Sequence, residues 1–207
     1  MVEIFVETDL ELYADFHDVH WMKALSDLAV AKEESVECDR FLVHWRGAAS
    51  AFSTPWLLVD AVAGLTGSES RDCWDRYLSA VSFRVGLWKH AENCFSALYY
   101  AYENLLVSLV VKRSGVATRV GDKAFRKLLS AALGESLAQE AWDARFIRMS
   151  REIRNSIVHC GSMASSKLRE LNPPGQLVSD SGFLTVSATD VRTLYHGLRP
   201  VITKAFS

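Results

Sequence analysis

Apolar residues recur at three- and four-residue steps through most of this chain, the spacing that gathers them on one face of an α-helix. Leu12, Phe16, Val19, Met22, Leu25 and Leu28 predict a helix over residues 10–31. Val36, Phe41, Val43 and Trp45 carry a second from about residue 33 to 47 or beyond; Pro55 kinks or restarts it, and 56–62 is its apolar continuation. Gly64-Leu65-Thr66-Gly67 closes that unit, and Ser68 is an N-cap for the next helix. That helix is long and proline-free, predicted over 69–113 and marked by Trp74, Leu78, Val81, Val85, Trp88, Phe95, Leu98, Tyr102, Leu106 and Leu109, with Gly86 as the point at which it would divide. Lys112 and Arg113 complement the dipole of its last turn, and Gly115 lies just past its end. Phe125, Leu128 and Leu129 place a shorter helix over 122–133. Beyond Gly134 and Ser136 another spans 137–160, stopped by Gly161.

The period then changes. Asn172-Pro173-Pro174-Gly175 reads as a loop. Residues 176–178 and 183–186 flank Asp180-Ser181-Gly182 as a short β-hairpin within 176–187. Thr189 caps a closing helix over 190–205 that Pro200 would disturb. The chain shows no internal repeat, low-complexity tract or Gly-rich phosphate loop. The expected fold class is all-α, a helical bundle with one small hairpin.

Composition narrows the class. With 207 residues, 49% hydrophobic and 23% charged, the chain has material for one compact core. No stretch approaches the roughly 20 uncharged apolar residues of a membrane span, so no membrane role is expected. The acidic start, MVEIFVETDLELYADF, is unlike a signal or transit peptide. Cys38, Cys73, Cys94 and Cys160 are dispersed and form no C-x-x-C pair, which points to a reducing, cytoplasmic setting without a disulfide framework.

The net charge of −2 conceals an asymmetry. Residues 1–111 hold 17 acidic and 8 basic side chains, whereas 112–154 hold 10 basic and 5 acidic. The basic stretch culminates in residues 142–160. Projected at 100° per residue, Trp142, Phe146, Met149, Ile153 and Ile157 form a stripe expected to face the core. Arg145, Arg148, Arg151, Asn155 and His159 fall opposite, with Arg154 at their edge. Glu152 is the only acid in 144–160, so the arginines repel one another unless an anion sits among them. Ile147 and Val158 lie inside that polar arc, which is expected if a second subunit covers part of it. The bland reading is a solvated arginine face.

Arg154-Asn155-Ser156-Ile157-Val158-His159 resembles the R-x4-H motif of HEPN domains (higher eukaryotes and prokaryotes nucleotide-binding) in its form with Asn after the Arg. As in that family, the motif ends a late helix that comes after a long one. The likeness covers roughly residues 69–207, leaving 1–68 as an N-terminal helical extension packed on the same core. The resemblance implies a metal-independent, cofactor-free endoribonuclease whose partners are RNA and a second copy of itself, acting in defence, stress or a toxin–antitoxin setting with a protein antitoxin or regulator. It implies His159 as base or acid, Arg154 as a planar fork for phosphate oxygens, and Asn155 as an orienting or donating amide. Arg148 and Arg151 would hold neighbouring RNA phosphates, with Arg145 assisting. Glu103, on the preceding helix, is a candidate intramolecular partner for Arg154. One departure is Gly161, where toxins of this family paired with nucleotidyltransferases often carry Tyr. Silencing through that tyrosine is therefore not expected. The alternative is a non-catalytic HEPN-like dimer that binds nucleotide, RNA or a protein; an unrelated helical bundle is the third reading.

Elsewhere, His17 and His20 beside Asp15 and Asp18 lack the further ligands of a metal set. Lys89, His90 and Asn93 read as a surface or a helix contact. Trp45, Trp56, Trp74, Trp88 and Trp142 read as core or interface anchors.

Overall fold

The structure, a computed structural model, describes residues 18–63, 81–171 and 177–207. They form an all-α bundle: α1 (Val19–Ala31), α2 (Ser35–Ala63), α3 (Val81–Ser114), α4 (Phe125–Leu133), α5 (Glu135–Ala138), α6 (Arg145–His159), α7 (Ser166–Leu171) and α8 (Ala188–Phe206). The expected starts of two helices, 10–17 and 69–80, fall outside the described residues, as do the Gly64–Gly67 stop and the 68/69 division.

The long helix α3 is the axis of the bundle, with α2, α8, α4 and α6 packed round it. Leu98, Tyr99, Tyr102, Leu105, Leu106 and Leu109 are all fully buried. By length and composition its stretch Trp88–Ser114 is apolar enough to cross a membrane, but here its sides are taken up by the neighbouring helices. Helices α1 and α2 share this core. Trp45 stacks on Tyr195 of α8 at 4.9 Å, and Trp21 meets the same ring edge-on at 6.5 Å.

Helix α2 runs unbroken through Pro55, where a kink was expected. A proline has no N–H for the carbonyl four residues back, here that of Ala51. His90 of α3 donates its Nε2 to that carbonyl at 2.8 Å. The lost backbone bond is replaced from a neighbouring helix, and the helix continues. Gly86 does not divide α3, and Pro200 lies within a continuous α8.

The helix expected over 137–160 is instead two pieces. A π-helical turn, Gln139–Asp143, comes after α5, and Ala144 leaves helical geometry with ψ 141° before α6 begins. Tyr102 draws the Ala141 carbonyl into the core with a 2.5 Å hydrogen bond, and Trp142 meets Phe125 edge-on at 4.9 Å. Those tertiary contacts interrupt a run whose apolar spacing is continuous in sequence.

The expected hairpin is reduced to its turn. Ser179 N–H donates to Phe183 at 2.8 Å and Thr185 N–H to Leu177 at 2.9 Å, with one bridge pairing Val178 and Leu184. A second bridge, Met163 to Phe183, ties this turn to the segment after α6. Helix α8 starts earlier than its expected Thr189 cap, because Ser187 and Asp190 form a reciprocal capping box.

Candidate active site

Helix α6 is wedged between α3 and α8. Gly197 of α8 allows the approach, since a Cβ there would lie 2.4 Å from the Phe146 ring. The face that is fully buried consists of Ile147, Ser150, Ile153 and Ser156. The expected stripe does meet the core, but Ile153 alone of it is fully buried: Phe146, Met149 and Ile157 pack on the core partly covered, and so does Trp142, from the π-helical turn before α6. Ile147 is 1% exposed within its own chain, and its carbonyl accepts from the Tyr99 hydroxyl at 3.2 Å. It is therefore a core residue and gives no reason to invoke a covering subunit. Val158, 56% exposed, keeps the expected outward position.

The arginines of α6 differ in their partners. Arg145 is exposed and donates to the Leu171 carbonyl at 3.0 Å. Arg151 lies over the Trp142 ring at 4.1 Å. Arg154 turns inward, to the buried Glu103 of α3. Arg148 is exposed, as is His159 at the end of the helix. The expected front forms in part: Arg145, Arg148, Arg151, Asn155 and His159 are exposed or half-buried on the side away from the core, while Arg154 leaves it. Arg148 and His159 face water, Asn155 is half-buried at the margin, and Arg154 forms the inner wall.

Arg154 is held from two sides. One terminal nitrogen donates to Glu103 Oε2 and the other to Asn155 Oδ1 at 2.9 Å. Its guanidinium lies 6.0 Å from the Tyr99 ring centre. Glu103 is 3% exposed, and that burial holds its carboxyl above the usual glutamate range despite the opposing pull of Arg154. Burial likewise pushes the Tyr99 hydroxyl far up, so this wall stays a neutral donor beside the pair. Glu103 Oε1 and Arg154 Nε are buried without a hydrogen-bond partner among the described residues. Buried polar groups left open in this way are uncommon in packed interiors, and each calls for an explanation such as a ligand, a water or chemistry.

Chemically, the segment offers a permanently cationic planar fork, a polarised amide and a solvent-accessible imidazole within six residues. Residues five apart on a helix point about 140° away from each other. Within this copy Arg154 turns to Glu103, whereas His159 is exposed at the end of the helix.

A second set of residues, largely missed from the sequence, grips the far end of the motif. Ser162 is 2% exposed, and its hydroxyl donates to Glu92 Oε2 at 2.8 Å while accepting from Lys89 Nζ at 3.1 Å. The available signal was that Glu92 and Glu103 are the only charged residues between 91 and 111, eleven positions apart and so on one side of α3. His90 makes the helix contact that one reading of that patch expected, whereas Lys89 reaches Ser162 in the turn after α6.

Among the described residues, no group of three or more His, Cys, Asp or Glu is placed to hold a metal ion. His17, from the weak histidine pair, lies outside them. The chain matches no protein-family model, no curated protein and no solved structure.

Proposed function

We propose that this protein is a metal-independent endoribonuclease of HEPN type, with a composite site built from two copies of the chain. The observation that carries the reading is the incompletely satisfied Arg154–Glu103 pair beneath Asn155, one turn before the exposed His159. The R-N-x-x-x-H spelling, at the end of a late helix packed on a long one, supports it.

In this reading, neutral His159 accepts the proton of a ribose 2′-hydroxyl. The 2′-oxygen attacks phosphorus, and the bond to the 5′-oxygen breaks as that oxygen takes a proton from the second copy's imidazolium. Arg154 donates to the non-bridging oxygens, where charge grows in the transition state. The products are a 2′,3′-cyclic phosphate and a 5′-hydroxyl. The two copies are needed because Arg154 and His159 diverge on one helix, and the exposed Val158 adds an apolar element beside the site. Arg148, exposed and without a partner among the described residues, would hold a neighbouring phosphate. Arg145 and Arg151 serve it less directly, since one is drawn to the end of α7 and the other to Trp142. A cytoplasmic setting and control by a protein partner belong to the same proposal.

A second reading has its own observation. Both terminal nitrogens of Arg154 already have partners within the chain, as they would in a non-catalytic HEPN-like dimer that binds RNA, nucleotide or protein. Incubating purified protein with mixed RNA in EDTA, beside a His159→Ala control, separates the two. Cyclic-phosphate ends made by the wild type alone support cleavage. Intact RNA, or cleavage that persists in His159→Ala, removes the catalytic assignment. Light scattering should report a dimer, and a strict monomer at micromolar concentration overturns the composite site.

A further inference from the structure

The chain leaves α6 through two successive residues in the left-handed region, Gly161 at φ 58° and Ser162 at φ 65°. Glycine adopts that geometry freely, whereas serine is strained there and needs its surroundings to hold it. Ser162 is held at every polar atom. Its N–H donates to the Ser156 carbonyl at 3.0 Å, and its carbonyl accepts from Leu184 at 2.9 Å. Its hydroxyl bridges Glu92 and Lys89, themselves paired at 2.8 Å. Glu92 is 2% exposed and keeps its Oε1 without a partner. A carboxylate buried so deeply, with one oxygen used twice and the other not at all, is costly unless its placement serves a purpose.

Glycine at 162 would relieve the backbone strain, so the conformation alone gives no reason for serine. What serine adds is the hydroxyl that anchors this turn to α3. Between the two anchors, Glu103 holding Arg154 and Glu92 holding Ser162, lies the exposed His159, which has no hydrogen-bond partner of its own among the described residues.

We propose that Ser162 and Glu92, with Lys89 as the outer contact, are positioning residues for His159: they fix the end of α6 and so the direction of the imidazole. The catalytic consequence rests on the cleavage reading above, whereas the conformational one stands by itself.

The test uses Ser162→Gly, which fits the left-handed turn and removes the hydroxymethyl group, and Glu92→Gln, which keeps the shape and removes the charge. The His159 imidazole signal, assigned by its loss in His159→Ala, is tracked by NMR, with His44 and His196 as internal references. In both variants that signal should shift and broaden while the references stay put. RNA cleavage should lose about tenfold in kcat with KM unchanged, as expected for a displaced catalytic group on an intact binding surface. A Ser162→Gly protein with an unmoved His159 signal and unchanged kcat overturns the proposal, and that variant is the one least able to fail through misfolding. If wild-type protein leaves RNA intact while Ser162→Gly still moves the His159 signal, the nuclease reading falls and the positioning inference remains.

Discussion

Arg113 and Arg154 each meet a buried glutamate, but the two pairs are built for different ends. Arg113 engages Glu34 through both fork positions, Nε to Oε1 at 2.6 Å and the outer nitrogen to Oε2 at 2.7 Å. Its remaining donors reach the Ala132 and Ala205 carbonyls at 3.3 and 2.7 Å. It thereby ties the start of α2 to the ends of α3, α4 and α8, and no atom of its fork is idle. Arg154 touches Glu103 through one nitrogen only, and each partner keeps a buried atom in reserve. Similar burial and the same two residue types thus produce a saturated staple in one place and an unsaturated site in the other. Burial of an ion pair therefore identifies neither role; the count of satisfied donors and acceptors does.

The largest contrast lies in stability. Arg113→Met leaves Glu34 buried and unpaired and orphans two carbonyls, so urea unfolding should show a loss of about 3–5 kcal/mol, with cleavage per folded molecule unchanged. A loss under about 1 kcal/mol, the range of an exposed pair, would mean that the staple is ornamental. Arg154→Lys should do the reverse, lowering cleavage about a hundredfold, since an ammonium cannot present two parallel donors to a phosphate. If Arg154→Lys cleaves normally, Arg154 is architecture like Arg113.

The Glu103 carboxyl refines the comparison. Its pKa in the folded chain is raised, so the stability it contributes is complete below the ordinary glutamate value of 4.5 and is lost as pH rises through the folded value. Glu103→Gln cannot ionise and should lack that loss. Urea midpoints measured upward from pH 4.5 should therefore fall in the wild type relative to the variant; parallel curves would place Glu103 with the saturated pair. The smallest effect belongs to Arg148→Ala. It should weaken RNA binding a few-fold and lower the salt slope by about one. An unchanged slope would remove Arg148 from the phosphate path.

The helical class, the long central helix and the motif itself were legible in the sequence, because apolar periodicity reports which faces are buried and short signatures are local. Gly161 likewise ends α6 where expected, whereas the caps Asp18 and Ser187 were not read, Thr189 being expected in place of Ser187. What the spacing could not convey was which edge of α6 its neighbours would cover. Ile147 and Ser150 are buried and Arg154 turns inward to Glu103, because α3 packs against an edge of the helix that its own pattern does not single out. Nor could it show that His90 replaces the bond lost at Pro55, or that Tyr102 breaks the run at 139–144. Each of these is a contact between residues far apart in the chain. Only the packed fold brings such groups within hydrogen-bonding distance, and that distance alone decides whether a buried charge is saturated or free.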